Sequence, residues 1–157
     1  MRPRALPAID GRVLHAADAA EAVREFAHTA DVGFEVEAPT VPALFERAAL
    51  GLAATIAVLD GVVARERRTV AVQADDRSVL LHDFLHAILL LAQVDGFLIS
   101  AVEVQTADET AVRAVVLGEP FDPSRHRLHG EVKAVTWHGL TVEPTNAGWR
   151  AWVLLDV

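Results

Sequence analysis

Cysteine is absent from the 157 residues, which excludes disulfides, thiolate zinc sites and cysteine nucleophiles together. Any metal must therefore sit on oxygen or imidazole. Uninterrupted apolar runs are missing as well. Hydrophobic residues make up 52% of the chain, yet no window of about 18 residues lacks charged or strongly polar side chains, so no membrane span is expected. Near the start, Pro3, Pro7, Asp10 and Gly11 interrupt what would have to be the apolar core of a signal peptide, and the expected location is the cytoplasm. Basic clusters are missing too. The formal net charge is −8, and no run of lysines and arginines offsets it locally, so direct tight binding of nucleic acid is not expected. A protein partner with a basic surface fits this charge, and so does plain solubility. There is no glycine-rich phosphate loop, no serine–histidine–aspartate elbow, no basic patch interleaved with aromatics, and no internal repeat.

The chain has room for one domain with a substantial core. Residues 1–24 show no clear period and read as a flexible extension or a mis-assigned start; the domain is expected over 25–157. Residues 33–38 alternate, with Phe34 and Val36 on one side and Glu35 and Glu37 on the other, the pattern of a half-buried strand. Thr40 can cap a helix, Pro42 is tolerated in its first turn, and Leu44, Phe45, Ala48, Leu52 and Ile56 recur at helical spacing to about Val58. A strand follows over 67–74. The turn Asp75-Asp76-Arg77-Ser78, with serine as cap, opens a second helix whose stripe is Leu81, Phe84, Leu85, Ile88 and Leu91, broken at Asp95-Gly96. Residues 98–106 and 111–117 read as a hairpin, 118–130 as a polar loop, and 131–142 and 149–157 as the last two strands. The expected fold class is α+β: two helices packed on one mainly antiparallel sheet in a two-layer sandwich.

Four groups of residues could carry chemistry. In His28-Thr29-Ala30-Asp31-Val32-Gly33 a carboxylate beside a glycine turn can approach a cation, or it can simply cap the turn. At the end, the Asp156 side chain and the α-carboxylate of Val157 offer hard oxygens at one spot, unless the terminus is frayed and solvated. Were Asp31 brought alongside, like charges at close range would call for a cation or protons, and oxygen donors favour calcium, magnesium or manganese over zinc. His82-Asp83-Phe84-Leu85-His86 has the i, i+4 histidine spacing of zinc proteases. Its aspartate is too short for the usual role and no third ligand appears, so these residues read as a solvated polar helix face. Finally, Glu131, Lys133 and His138 stand among apolar neighbours in the strand over 131–142. Lys133 reads as an edge charge against unwanted pairing, or as a contact to a partner carboxylate or phosphate.

Several segments in register resemble the archease family. They are His28-Thr29-Ala30-Asp31-Val32-Gly33-Phe34-Glu35-Val36, the helix Leu44-Phe45-Glu46-Arg47-Ala48-Ala49-Leu50-Gly51-Leu52, Asp83-Phe84-Leu85, and Gly118-Glu119-Pro120-Phe121-Asp122 with Arg125-His126. The strand Glu131-Val132-Lys133-Ala134-Val135-Thr136-Trp137-His138 and the ending Asp156-Val157 complete the set. The resemblance covers 25–157; the family often has tyrosine where Trp137 stands. It implies a non-catalytic cofactor protein that promotes guanylylation and multiple turnover of the GTP-dependent, tRNA-splicing type of RNA ligase. It also implies a divalent metal, calcium, manganese or magnesium, on Asp31, Asp156 and Val157, a functional lysine at Lys133, and His28 and Glu131 as partner or activation residues. Two other readings are a general chaperone or modulator of RNA-modifying enzymes and a metal-dependent phosphoester hydrolase.

Overall fold

The computed structural model describes residues 14–15 and 24–27 as main chain and residues 31–157 in full. Its elements are β1 Leu14–His15, β2 Arg24–Ala27, β3 Asp31–Ala38, α1 Val41–Ile56, a 3-10 turn Leu59–Gly61, β4 Glu66–Gln73, α2 Arg77–Asp95, β5 Phe97–Ala107, β6 Ala111–Pro120, β7 Ala134–Val135, β8 Thr141–Thr145 and β9 Gly148–Asp156. The architecture is α+β with antiparallel strands. The strands divide over two sheets: β1-β5-β6-β4, and β2-β3-β9-β7 with β8 also on β9. A period of two tells which face of a strand is apolar but not which strand lies beside it, so the division could not be read from the alternation. Both helices touch strands of both sheets. Phe34, Phe45, Phe84, Phe97, Leu44 and Leu85, all within 1% of full burial, fill the common core.

Local chemistry accounts for the helix boundaries. Thr40 is extended (φ −135°, ψ 160°) and its Oγ1 accepts the Ala43 N–H at 3.3 Å, supplying a partner for one donor of the first turn. The helix stops at Ile56, two residues before the expected end, because Ala57 turns extended and bridges to Leu128. In α2 the cap is Asp76, not Ser78: the Asp76 carboxylate accepts the Val79 N–H at 2.9 Å. Gly96 closes the helix at φ 62°, a left-handed conformation that glycine adopts without a Cβ clash. By length and a mean hydropathy of 1.4, α2 could cross a membrane; here Leu80, Leu81, Phe84, Leu85, Ile88 and Leu89 are buried against the sheets.

The hairpin between β5 and β6 forms as expected, its turn tied by Asp108, whose carboxylate accepts the Thr110 and Ala111 amides at 2.8 Å each. The strand expected over 131–142 is not continuous. Only Ala134–Val135 pair with β9 before the chain leaves it, and β8 resumes the pairing at Thr141. Side chains of α2 explain part of this break: Gln93 donates to the carbonyls of Val132 and Lys133 at 3.0 and 3.2 Å, so these are not free for a ladder. Gly139 then turns the chain at φ 71°.

A candidate metal site at the β3–β9 end

Antiparallel pairing of β3 with β9 runs over eight residue pairs, and Asp31 lies directly opposite Asp156. Paired residues project to the same face, with Cβ atoms about 5 Å apart. The inward residues of the two strands, Phe34, Val36, Val153 and Leu155, face the core, so this alternation turns Asp31 and Asp156 to the outer face. Neither aspartate makes a side-chain hydrogen bond or ion pair with a described residue. Val157, the next residue, is 40% exposed. On the other side of β9, Ala134 pairs with Asp156 and the Lys133 N–H donates to the Asp156 carbonyl at 2.7 Å.

The structure therefore brings Asp31, Asp156, Val157 and Lys133 to one end of one sheet. Among the described residues no three His, Cys, Asp or Glu side chains gather as a metal cluster. A cation here would have two carboxylates, with main-chain oxygens of Val157 next in the chain. Two uncompensated hard oxygens of like charge fit a calcium-, magnesium- or manganese-type ion. Glu131 lies farther along and lines a cleft of about 630 Å³ between the helix ends and residues 128–132, with Ile56, Leu89, Ala92 and Gln93. His28 lies outside the described residues.

His82 departs from expectation. Read as part of a solvated face, it is only 8% exposed. One ring nitrogen lies 2.9 Å from the Asp83 carboxylate and the other 2.9 Å from the Val135 carbonyl, while the exposed Trp137 ring stacks on it with centroids 3.4 Å apart. The segment between β7 and β8 folds over this helix face, a long-range contact that helical spacing does not carry. Both nitrogens being engaged, His82 offers none to a metal.

The polar loop expected over 118–130 begins only after Pro120, because β6 continues through Gly118 and Glu119 in pairing with β5; Glu119 and the loop after it hold a buried ionic centre that sequence reasoning missed. Glu119 is 2% exposed and accepts from Arg125 Nη1 and Nη2 at 3.0 and 2.8 Å, from Val63 N–H at 3.0 Å and from His126 Nε2 at 2.8 Å. Arg65 Nε approaches at 3.3 Å. His126 Nδ1 accepts the Asp122 N–H at 2.8 Å, so Nε2 is the nitrogen that carries the proton toward Glu119. The Arg125 fork foremost, then the Val63 amide, hold the Glu119 carboxyl down to about 2. At its other end the preceding glycine cannot be replaced freely: a Cβ on Gly118 would sit 1.8 Å from the Leu98 carbonyl oxygen. The signal available in the sequence was a glutamate six and seven residues before an arginine and a histidine, a spacing with no fixed secondary-structure meaning.

The model of the Archease protein family (MTH1598/TM1083) matches residues 24–157. A protein archease of Methanopyrus kandleri is 40% identical over 136 residues, covering 85% of this chain and 97% of that protein. One from Methanosarcina mazei is 34% identical over 134 residues, covering 83% and 92%. The solution structure of protein 1598 from Methanobacterium thermoautotrophicum superposes with a TM-score of 0.74 at 29% identity, over 87% of this chain and 99% of that one. A crystal structure of an archease and possible chaperone from Thermotoga maritima has a TM-score of 0.55 at 20% identity, over 85% and 96%, a likeness of fold alone.

Proposed function

The chain belongs to the archease family, and from that premise we propose that it is a metal-binding, non-catalytic activator of a GTP-dependent RNA ligase of the tRNA-splicing type. The observation that carries the proposal is the placement of Asp31 opposite Asp156 on adjacent strands, with no cationic side chain paired to either among the described residues. Two carboxylates left uncompensated while others in the same molecule are saturated with donors form a site waiting for positive charge. Asp31 and Asp156 would hold the ion, with Val157 contributing main-chain oxygen. A divalent ion held there would supply positive charge toward the phosphates of the partner's nucleotide. Lys133, fixed through its own amide to the Asp156 carbonyl, would contact a partner carboxylate or a phosphate; Glu131 and His28 would contribute to partner contact or activation. The partner supplies the covalent chemistry.

The decisive experiment measures formation of the covalent GMP adduct and multiple-turnover ligation by a cognate ligase with wild type, Asp31→Ala and Asp156→Ala. Loss of stimulation in both variants is expected, and undiminished stimulation would remove the proposal. A second reading, general chaperoning, draws on the description of the Thermotoga maritima relative as a possible chaperone. It requires suppression of aggregation that survives Asp31→Ala. Phosphoester hydrolysis by the purified protein with manganese would point instead to a hydrolase.

A further inference from the structure

β4 is the last strand of the first sheet: β6 lies on one side of it, and among the described residues no strand lies on the other. It pairs with β6 throughout Glu66–Gln73 in unbroken register and contains no proline. Which main-chain groups face outward follows from its neighbours. The Ala74 N–H donates to the Thr110 carbonyl at 2.9 Å, continuing the ladder, so the even-numbered residues spend their main-chain groups on β6. Arg67, Thr69, Ala71 and Gln73, whose side chains are exposed, turn N–H and C=O to the open side, where the Arg67 carbonyl is met by Arg68 Nη1 at 3.2 Å. A long regular edge is a template for another strand, and folds usually interrupt one with a proline, a bulge or an inward charge.

The charges along this edge are sorted by sign. Arg65, Arg67 and Arg68 stand at its first end, Asp75 and Asp76 at its last. Several are already used within the chain: Arg65 lies 3.3 Å from Glu119, Arg68 lies 3.6 Å from Glu66, and Asp76 caps α2. The Arg67 and Asp75 side chains make no hydrogen bond or ion pair with a described residue. An antiparallel strand brings its last end beside the first end of its neighbour, so this edge is complementary to itself about a two-fold axis. With the axis at Ala71, Arg67 lies opposite Asp75 of the second copy and Thr69 opposite Gln73. On the inner face Val70, a core residue, comes beside Val72 of the second copy. Odd-numbered residues meet odd-numbered residues, so the outward N–H and C=O groups find one another. Glu66 comes near Asp76 in this register, and each keeps the partner it has, Arg68 and the Val79 amide.

We propose that the open edge of β4 is a docking surface for a second copy of this chain, the two β4 strands pairing antiparallel about Ala71 and joining two four-stranded sheets into one. The main-chain ladder supplies the adhesion, and the Arg67–Asp75 pair, formed twice by symmetry, sets the register. Asp31 and Asp156 lie in the other sheet, so pairing through β4 does not require the metal.

The test is analytical ultracentrifugation of the full-length protein at about 0.15 M salt, which screens the net charge of −8 on each copy beyond about 8 Å. A monomer–dimer equilibrium is expected between about 10 µM and about 1 mM protein. Thr69→Pro removes an outward N–H from each copy and leaves the β6 ladder its donors; it should weaken the dimer about tenfold or more. Arg67→Asp sets like charges opposite each other and should weaken it by a similar factor. Combining Arg67→Asp with Asp75→Arg exchanges the two members of the pair and should restore association, which decides the matter if Thr69→Pro does not fold. A protein that stays monomeric through that range, a dimer indifferent to both single substitutions, or a double exchange that fails to restore pairing overturns the proposal.

Discussion

Glu119 and the Asp31–Asp156 pair are acidic sites on opposite terms with their surroundings. Glu119 is buried among donors from Val63, Arg125, His126 and Arg65, and its charge is used in tying the loop that follows β6, through Arg125 and His126, to the end of that strand. Asp31 and Asp156 face each other across two strands with no donor from a described side chain. Acidity therefore has two meanings in this molecule. A carboxylate saturated with donors organises the fold, and a carboxylate left without them is available to something outside it.

Counting donors on each carboxylate ranks the ways to break this comparison. The largest effect is expected from Glu119→Gln, which leaves the Arg125 fork and His126 facing an amide. The thermal midpoint should fall more than for any other variant named below, with amide exchange accelerated across 121–130. The same carboxyl sets an acid limit. Its folded value, about 2, lies below the ordinary 4.5, so the stability it contributes is complete above about 4.5 and is lost as pH falls toward 2. Midpoints measured between pH 5 and 2, both taken as approximate bounds of that window, should drop more steeply in wild type than in Glu119→Gln.

Next come Asp31→Asn and Asp156→Asn, where the opposite pattern is expected. Without metal the midpoint should hold or rise, because like charges are removed. Manganese at about 100 times its dissociation constant should add roughly 2.7 kcal/mol to the wild type and little to either variant. A fall in metal-free stability as large as that of Glu119→Gln would erase the distinction between the two sites.

Glu46 is intermediate, with one donor and deep burial. Burial raises its carboxyl from 4.5 to about 7, partly countered by the Val104 amide. A raised acid favours the protonated folded state, so stability is lost as pH rises from about 4.5 to about 7, by about 3 kcal/mol at most. Glu46→Gln should flatten the dependence of the midpoint on pH over that interval; an unchanged slope would place the titration elsewhere. The smallest effect belongs to Asp76, an exposed cap with a single amide at 2.9 Å. Asp76→Ala should cost about 1 kcal/mol in chemical denaturation, independent of metal.

Legibility in the sequence followed the range of the interactions. The helix over 41–56 was readable because its cap, its proline and its apolar repeat are all local, and the error of two residues at its end came from a distant bridge to Leu128. The turn before α2 reads with Ser78 as its cap, whereas Asp76 performs it: both residue types suit the role, and only the folded backbone distinguishes them. Asp31, Asp156 and Lys133 were singled out by family resemblance, whereas their residue types alone left turn capping, fraying and edge protection open. The centre on Glu119 and the burial of His82 were not legible, since each depends on a loop folding back over residues far from it in sequence.

Periodicity, caps and turn residues determined, without reference to any partner, where the helices lie and which faces of the strands are apolar, because each acts within a few residues of chain. They also placed Asp31 at the head of one strand and Asp156 near the end of another. Tertiary structure decided that those strands are neighbours in a register that sets the two aspartates opposite each other. It also decided that Glu46 and Arg47, adjacent in sequence, serve different sheets. Strand pairing and helix docking are selected by the burial of the whole core at once, and no short segment contains that information.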